Sequence, residues 1–192
     1  MTTVVGFLSR EHGLNVLQTL IKNNNYKIIT VFTHKFNPKS QDETRGVRKD
    51  FQKFVELCKQ EKIELIDIDT KNSEIKCPNC DFIIEVSWRY LISPETVKKA
   101  KVLAFGIHRG KLPDYAGPEP IKQALENNEE EIIISGHRLD SKIDAGEVIT
   151  TRNYKVNYKS KISFEKNIQV IREQVTPIFS EIALEILEKK YS

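Results

Sequence analysis

Three side chains suited to proton transfer stand in two short runs of this sequence. His108 closes an apolar stretch and is followed by Arg109-Gly110-Lys111-Leu112-Pro113-Asp114-Tyr115-Ala116-Gly117. His137 lies in a second run, Ser135-Gly136-His137-Arg138-Leu139-Asp140, and precedes Asp144-Ala145-Gly146 by seven residues. A histidine shuttles protons near neutral pH because its unperturbed pKa is about 6.5. A carboxylate beside it favours the imidazolium and orients the ring. Residues of these types are suited to general acid–base work. His137 suits either that site or a structural place in a strand. Asp140 and Asp144 also suit ordinary turns, where Asp and Gly are favoured.

Those side chains need elements to hold them. Short apolar, β-rich runs at Val4–Leu8, Lys27–Phe32, Ile63–Ile68, Asp81–Ser87, Val102–His108, Glu131–Leu139 and Glu147–Val156 read as strands. Val4–Leu8 and Phe82–Val86 are nearly continuous apolar stretches, as a strand buried on both faces requires. Helical segments are expected near Gly13–Lys22, Arg45–Lys62, Pro94–Ala100, Glu119–Asn127 and Ser163–Lys189. Ser93-Pro94-Glu95 has a serine cap and a proline at the first helical position. Pro177 should break or kink the last helix. Alternation of this kind predicts an α/β protein, a Rossmann-like, doubly wound, mostly parallel sheet in a single domain over residues 1–192. The loop 109–120 follows an apolar strand and carries Gly110, Pro113, Gly117, Pro118 and Pro120. In such a sheet ligands sit at the carboxyl ends of the strands, which is where this stiffened loop belongs.

The combined pattern resembles the 10-formyltetrahydrofolate-dependent formyltransferases, which include the methionyl-tRNA, glycinamide ribonucleotide and sugar-nucleotide enzymes. The family pattern is Asn-x-His-Pro-Ser-Leu-Leu-Pro-x-Tyr-Arg-Gly, then His-x6-Asp-x-Gly. His108, Leu112, Pro113, Tyr115, Gly117, His137, Asp144 and Gly146 fall on it. Val4–Leu20 and Asp81–Ile92 are similar to the family's first and fourth strands and the segments after them. The resemblance implies a formyltransferase fold and 10-formyltetrahydrofolate as cosubstrate. It implies His108 as acid, base or oxyanion partner, with Asp144 orienting it. It also implies folate contacts at Trp88, Arg89, Tyr90, Leu91 and Ile92, and at Leu139, Asp140 and Ile143. Trp88 suits stacking on a pterin or a place in the core.

Four residues depart from the pattern. Gly106 stands where the family has an asparagine that stabilises the oxyanion, and Arg109, Gly110 and Lys111 replace proline, serine and leucine. Loss of one oxyanion donor typically costs about 10²–10³ in rate. Ser9–Leu14 lacks the Gly-Ser-Gly-Ser-Asn run by which the glycinamide ribonucleotide enzymes hold phosphate. Arg10, Arg109 and Lys111, with Tyr115, suit a small anionic amine such as an amino-sugar nucleotide. The expected function is formyl transfer to that amine. Formyltetrahydrofolate hydrolysis is an alternative that uses the same residues, and a non-catalytic folate-binding or partner-binding relative is another.

Bulk properties narrow the remaining classes. The 192 residues suffice for one full core, and with 39% hydrophobic and 30% charged residues the chain is not of disordered composition. The net charge of +3 is spread along the chain without a basic block, which gives no strong nucleic-acid signal. The first residues lack a secretion signal and no apolar run approaches the ~20 residues of a membrane helix. The expected location is cytoplasmic, without a membrane partner. Cys77-Pro78-Asn79-Cys80 is half of a zinc site with no second pair, and it leads directly into a strand, so it reads as a turn and no metal is expected. His12 and His34 read as surface residues. Ile178, Phe179, Ile182, Ile186 and Leu187 suit the core first and a homodimer face second.

Overall fold

The computed structural model describes residues 1–71 and 73–191. The chain forms two compact units, Met1–Ala104 and Phe105–Ser192, and passes from one to the other inside a strand.

The first unit is a parallel sheet. β1 (Thr2–Leu8) pairs on one side with β2 (Tyr26–Thr33), which pairs with β3 (Glu64–Asp67), and on the other side with β4 (Cys80–Val86). Winding reverses between β1 and β4, which makes their carboxyl ends the switch point of this sheet. Val4, Val5, Phe7 and Leu8 are all buried, as the continuous apolar run predicts. Phe7 stacks on Phe32 of β2 with ring centroids 4.7 Å apart.

α1 (Arg10–Lys22) begins three residues before the expected Gly13, because Ser9 is extended and its carbonyl takes the first helical bond, from Gly13 N–H. α2 (Phe51–Glu61) is shorter than expected. Residues 35–50 fold instead as a loop, closed by the bridge Phe36↔Val47 and by Asp42, whose carboxylate accepts from the Thr44 and Gly46 amides. Of its expected apolar stripe, Phe54 and Cys58 are buried. α3 (Pro94–Val97) starts as expected, with Ser93 Oγ accepting from Thr96 N–H. It is cut short because Ala100 already enters β5 (Ala100–His108).

The second unit departs from parallel pairing. The carboxyl half of β5 pairs antiparallel with β6 (Glu131–Arg138), which pairs antiparallel with β7 (Val148–Lys155). α4 (Pro120–Glu126) connects β5 to β6. The expected terminal helix is two helices, α5 (Phe164–Gln174) and α6 (Thr176–Glu188). The break falls at Val175, and Pro177 takes a first-turn position of α6, where its missing N–H is no loss. Phe179, Ile182, Ile186 and Leu187 are buried in this unit and Ile178 is half-buried. Among the described residues no helix is long and apolar enough to cross a membrane.

Two readings of the histidines are overturned. His12 and His34 are 3% and 0% exposed, so neither is a surface residue.

Candidate active site

In the second unit, the β5–β6 ladder sets the frame. Gly106 opposes His137 and His108 opposes Ser135, so all four positions share one face. The loop after β5 is pinned by Ser135, whose hydroxyl donates to Gly110 O (2.8 Å) and accepts from Leu112 N–H (3.3 Å). Nothing in the sequence marked Ser135 for that duty.

The loop then folds back on His108. Tyr115 O stands 2.7 Å from His108 Nε2, so that nitrogen carries the proton it donates. Gly110 makes this approach feasible. A Cβ there would lie 2.6 Å from Pro120 Cβ, 2.7 Å from Tyr115 O and 3.0 Å from His108 Nε2. The Tyr115 hydroxyl points elsewhere and donates to Glu129 Oε1 (2.6 Å).

On the other side of the ring, Asp144 Oδ2 lies 3.4 Å from His108 Nδ1 and accepts Gly117 N–H at 3.1 Å. Gly117 has φ 86°, which suits glycine, and Asp144 itself sits at φ 55°. The second carboxylate oxygen, Oδ1, lies 3.6 Å from His137 Nε2. His137 is 2% exposed, and burial pushes its pKa down while Asp144 pulls it up and His108 adds to the lowering. Its Nδ1 is 2.9 Å from Arg138 O. The structure thus brings His108, Asp144, His137 and Gly106 together. This arrangement can hold, accept and return protons.

Arg109, Lys111 and Tyr115 line one cavity of about 400 Å³ with Glu129, Glu130 and Glu131. Lys111 is ion-paired with Asp114 at 2.7 Å, both exposed. Leu139 and Asp140 lead from β6, and Ile143 is 59% exposed next to Asp144.

In the first unit, Trp88–Ile92 follow β4 at the carboxyl edge. The Trp88 ring stacks on His34 (4.0 Å between centroids) and meets Phe7 edge-on. Two backbone amides of this loop are used internally: Trp88 N–H donates to Glu85 Oε1 and Arg89 N–H to His34 Nε2. The Trp88 indole Nε1 is buried with no hydrogen-bond partner among the described residues. Tyr90 and Leu91 line a cavity of about 350 Å³ with Cys77, Ser93, Thr96 and Lys99, and Ile92 is buried.

His34 donates from Nδ1 to Ile68 O and accepts at Nε2, and burial, followed by the Arg89 charge, holds its pKa down to about 3. Arg10 adopts φ 64° at the start of α1 and donates to Gln41. Arg89 donates to Phe36 O and faces Asp69 at 3.7 Å. Sequence reasoning missed Arg48. Its side chain is 1% exposed, it donates to Ser9 Oγ, and it pairs with Asp50 at 2.8 Å. Burial lowers its pKa to about 10, against the pull of Asp50. A charged residue in a polar loop gave no signal for such burial.

Residues 4–176 match the formyl transferase family. A methionyl-tRNA formyltransferase of Mycoplasmopsis pulmonis is 29% identical over 187 residues, covering 90% of this chain and 62% of that protein. The chain spans about three-fifths of the length of the curated relatives it matches. Among solved structures, the phosphoribosylglycinamide formyltransferase of Streptococcus pneumoniae superposes with a TM-score of 0.67 at 17% identity, covering 97% of this chain and 99% of that one. WlaRD, a sugar 3N-formyl transferase solved with dTDP and 5-N-formyl-THF, gives 0.65 at 19% identity, covering 100% and 65%. The fold is that of these proteins.

Proposed function

The chain belongs to the formyl transferase family, and from that premise we propose that it moves the formyl group of 10-formyltetrahydrofolate onto a primary amine of a small anionic acceptor such as an amino-sugar nucleotide. The observation that carries this reading is the His108 ring held between the Tyr115 carbonyl and the Asp144 carboxylate at the carboxyl end of β5. The acceptor nitrogen forms a bond to the formyl carbon and the carbonyl oxygen becomes an oxyanion. Collapse of that intermediate breaks the bond to folate N10, and the proton lost by the acceptor must reach N10. We assign that transfer to His108, with Asp144 orienting the ring.

Supporting the folate reading in the first unit is the cavity lined by Tyr90 and Leu91. Trp88, Arg89, Tyr90, Leu91 and Ile92 are assigned to the folate, Tyr90 and Leu91 at this cavity. In the second unit Leu139, Asp140 and Ile143 are assigned the same duty. Arg10, Arg109, Lys111 and Tyr115 are assigned to anion contacts.

Calorimetric titration with 5-formyltetrahydrofolate, followed by a product assay on amine-bearing nucleotide sugars, tests the reading. Saturable binding and a formylated amine are expected. Formate released without any acceptor would make the protein a hydrolase, and no binding at millimolar ligand would end the folate reading. Gly106 favours a second reading, a folate-binding protein without turnover. Gly106→Asn separates the two. A rise of roughly 10²–10³ in rate is expected if the missing donor limits an enzyme, and a binding protein gains nothing.

A further inference from the structure

Asp144 stands between two imidazoles, and the hydrogens on those rings can be counted. Tyr115 O accepts, so His108 Nε2 carries hydrogen. Arg138 O accepts, so His137 Nδ1 carries hydrogen. In neutral rings the two remaining nitrogens, His108 Nδ1 and His137 Nε2, are bare lone pairs. Each is turned toward an oxygen of Asp144, at 3.4 Å and 3.6 Å. A lone pair facing an anionic oxygen is repelled, and one proton on this axis converts repulsion to attraction. His137 Nε2 is also buried without a hydrogen-bond partner among the described residues. An unpaired polar atom in such a place is costly.

The tautomer of His137 is built in. A Cβ at Gly146 would fall 1.8 Å from Arg138 O, so only glycine lets the loop that carries Asp144 pass this carbonyl. One short segment therefore supplies the carboxylate and the room for the carbonyl that sets the ring. Across the ladder, Gly106 puts no side chain opposite His137.

Charges from the neighbouring elements are otherwise engaged. Arg152 of β7 and Lys189, which follows α6, are paired with Glu185 of α6, Lys122 of α4 with Glu126, and Arg138 with Glu147. Besides burial and the Arg138 carbonyl, the titratable groups acting on the His137 ring are Asp144 and His108.

We infer that Asp144 shares a single mobile proton between His108 and His137, which makes His137 a positioning residue that holds the proton when His108 is neutral with its hydrogen on Nε2. The consequence for catalysis rests on the proposed formyl transfer. There His108 gives its Nε2 proton to N10 as the carbon–N10 bond breaks and regains one from the acceptor nitrogen. The mobile proton stays on His108 Nδ1 while Nε2 is bare and returns to His137 Nε2 once His108 Nε2 has regained its hydrogen, so the ring never loses both and none is consumed over the cycle.

The test is an NMR titration of the histidine rings in the intact protein from about pH 4 to about pH 9, comparing wild type with His137→Gln. In wild type both rings should respond in two linked steps, and in the variant His108 should titrate in one. Independent single-step curves in wild type, or an unchanged His108 curve in the variant, would overturn the inference. The wild-type curve alone decides the matter if the variant fails to fold. The titration needs no turnover, so a protein that yields no formylated product but shows linked steps sinks the transferase reading and sustains the shared proton. In an active protein, His137→Gln should lower kcat at least roughly tenfold and leave the KM for folate in place; equal changes in both would count against a positioning role.

Discussion

At the scale of single residues, the site depends on which atoms accept and which donate. Asp144→Asn tests this with little disturbance, because asparagine tolerates the left-handed backbone found there and its carbonyl can still accept Gly117 N–H. The variant should melt within a few degrees of wild type and lose about 10²–10⁴ in the proposed formyl-transfer rate, as scanning calorimetry and product formation would show. His34 makes a prediction about acid. Its unfolded pKa is about 6.5, whereas the folded ring resists protonation down to about 3. The unfolded chain thus binds the extra proton, so the stabilisation from neutral His34 is complete above about pH 6.5 and drains away as pH falls toward 3. The loss is on the order of a few kcal/mol. Melting temperatures of His34→Gln should start lower and fall less steeply over that range. The pairing of His108 with Asp144 was legible in the sequence because both fall on the family's motif, and the two side chains do meet, at 3.4 Å. His34 was not, since its role comes from burial against Trp88 and Ile68 O, which no local pattern announces.

At the scale of elements, strands were easier to read than loops. Buried apolar runs such as Val4–Leu8 declare themselves, whereas residues 35–44 read as a polar connection and 45–50 as the start of a helix that in fact begins at Phe51. Their fold rests on distant partners: Asp69 accepts from the Lys35 and Phe36 amides, and Arg48 reaches Ser9 and Asp50. Arg48→Leu leaves Asp50 largely buried without its ion pair and should destabilise by roughly 3–5 kcal/mol. Arg48→Leu with Asp50→Leu should recover much of that loss. A denaturant-unfolding double-mutant cycle measures both, and additive losses would mean that the pair is not coupled. The antiparallel pairing of β6 and β7 was equally hidden, because a strand's direction is a property of its connections and not of its residues.

At the scale of the whole molecule, the chain's three cysteines are free and buried. Burial pushes the thiols of Cys58 and Cys77 up to about 11 and that of Cys80 up to about 12. Thiolate is the reactive form, so native protein should react with a thiol reagent on the order of a hundredfold more slowly than a free cysteine near pH 8. Three equivalents should appear at once in denaturant, matching the three cysteines. Fast reaction in the native state would show that the interior around Cys77 and Cys80 opens readily.

The hydrogen bond from His108 to the Tyr115 carbonyl has a thermodynamic consequence for any ligand of that ring. A ligand that engages Nε2 competes with the protein's own backbone, and its observed dissociation constant is the intrinsic one divided by the fraction of molecules whose ring is released. A resting bond worth about 1.4 kcal/mol would weaken apparent affinity about tenfold. Ligands that never touch Nε2 would show no such discount.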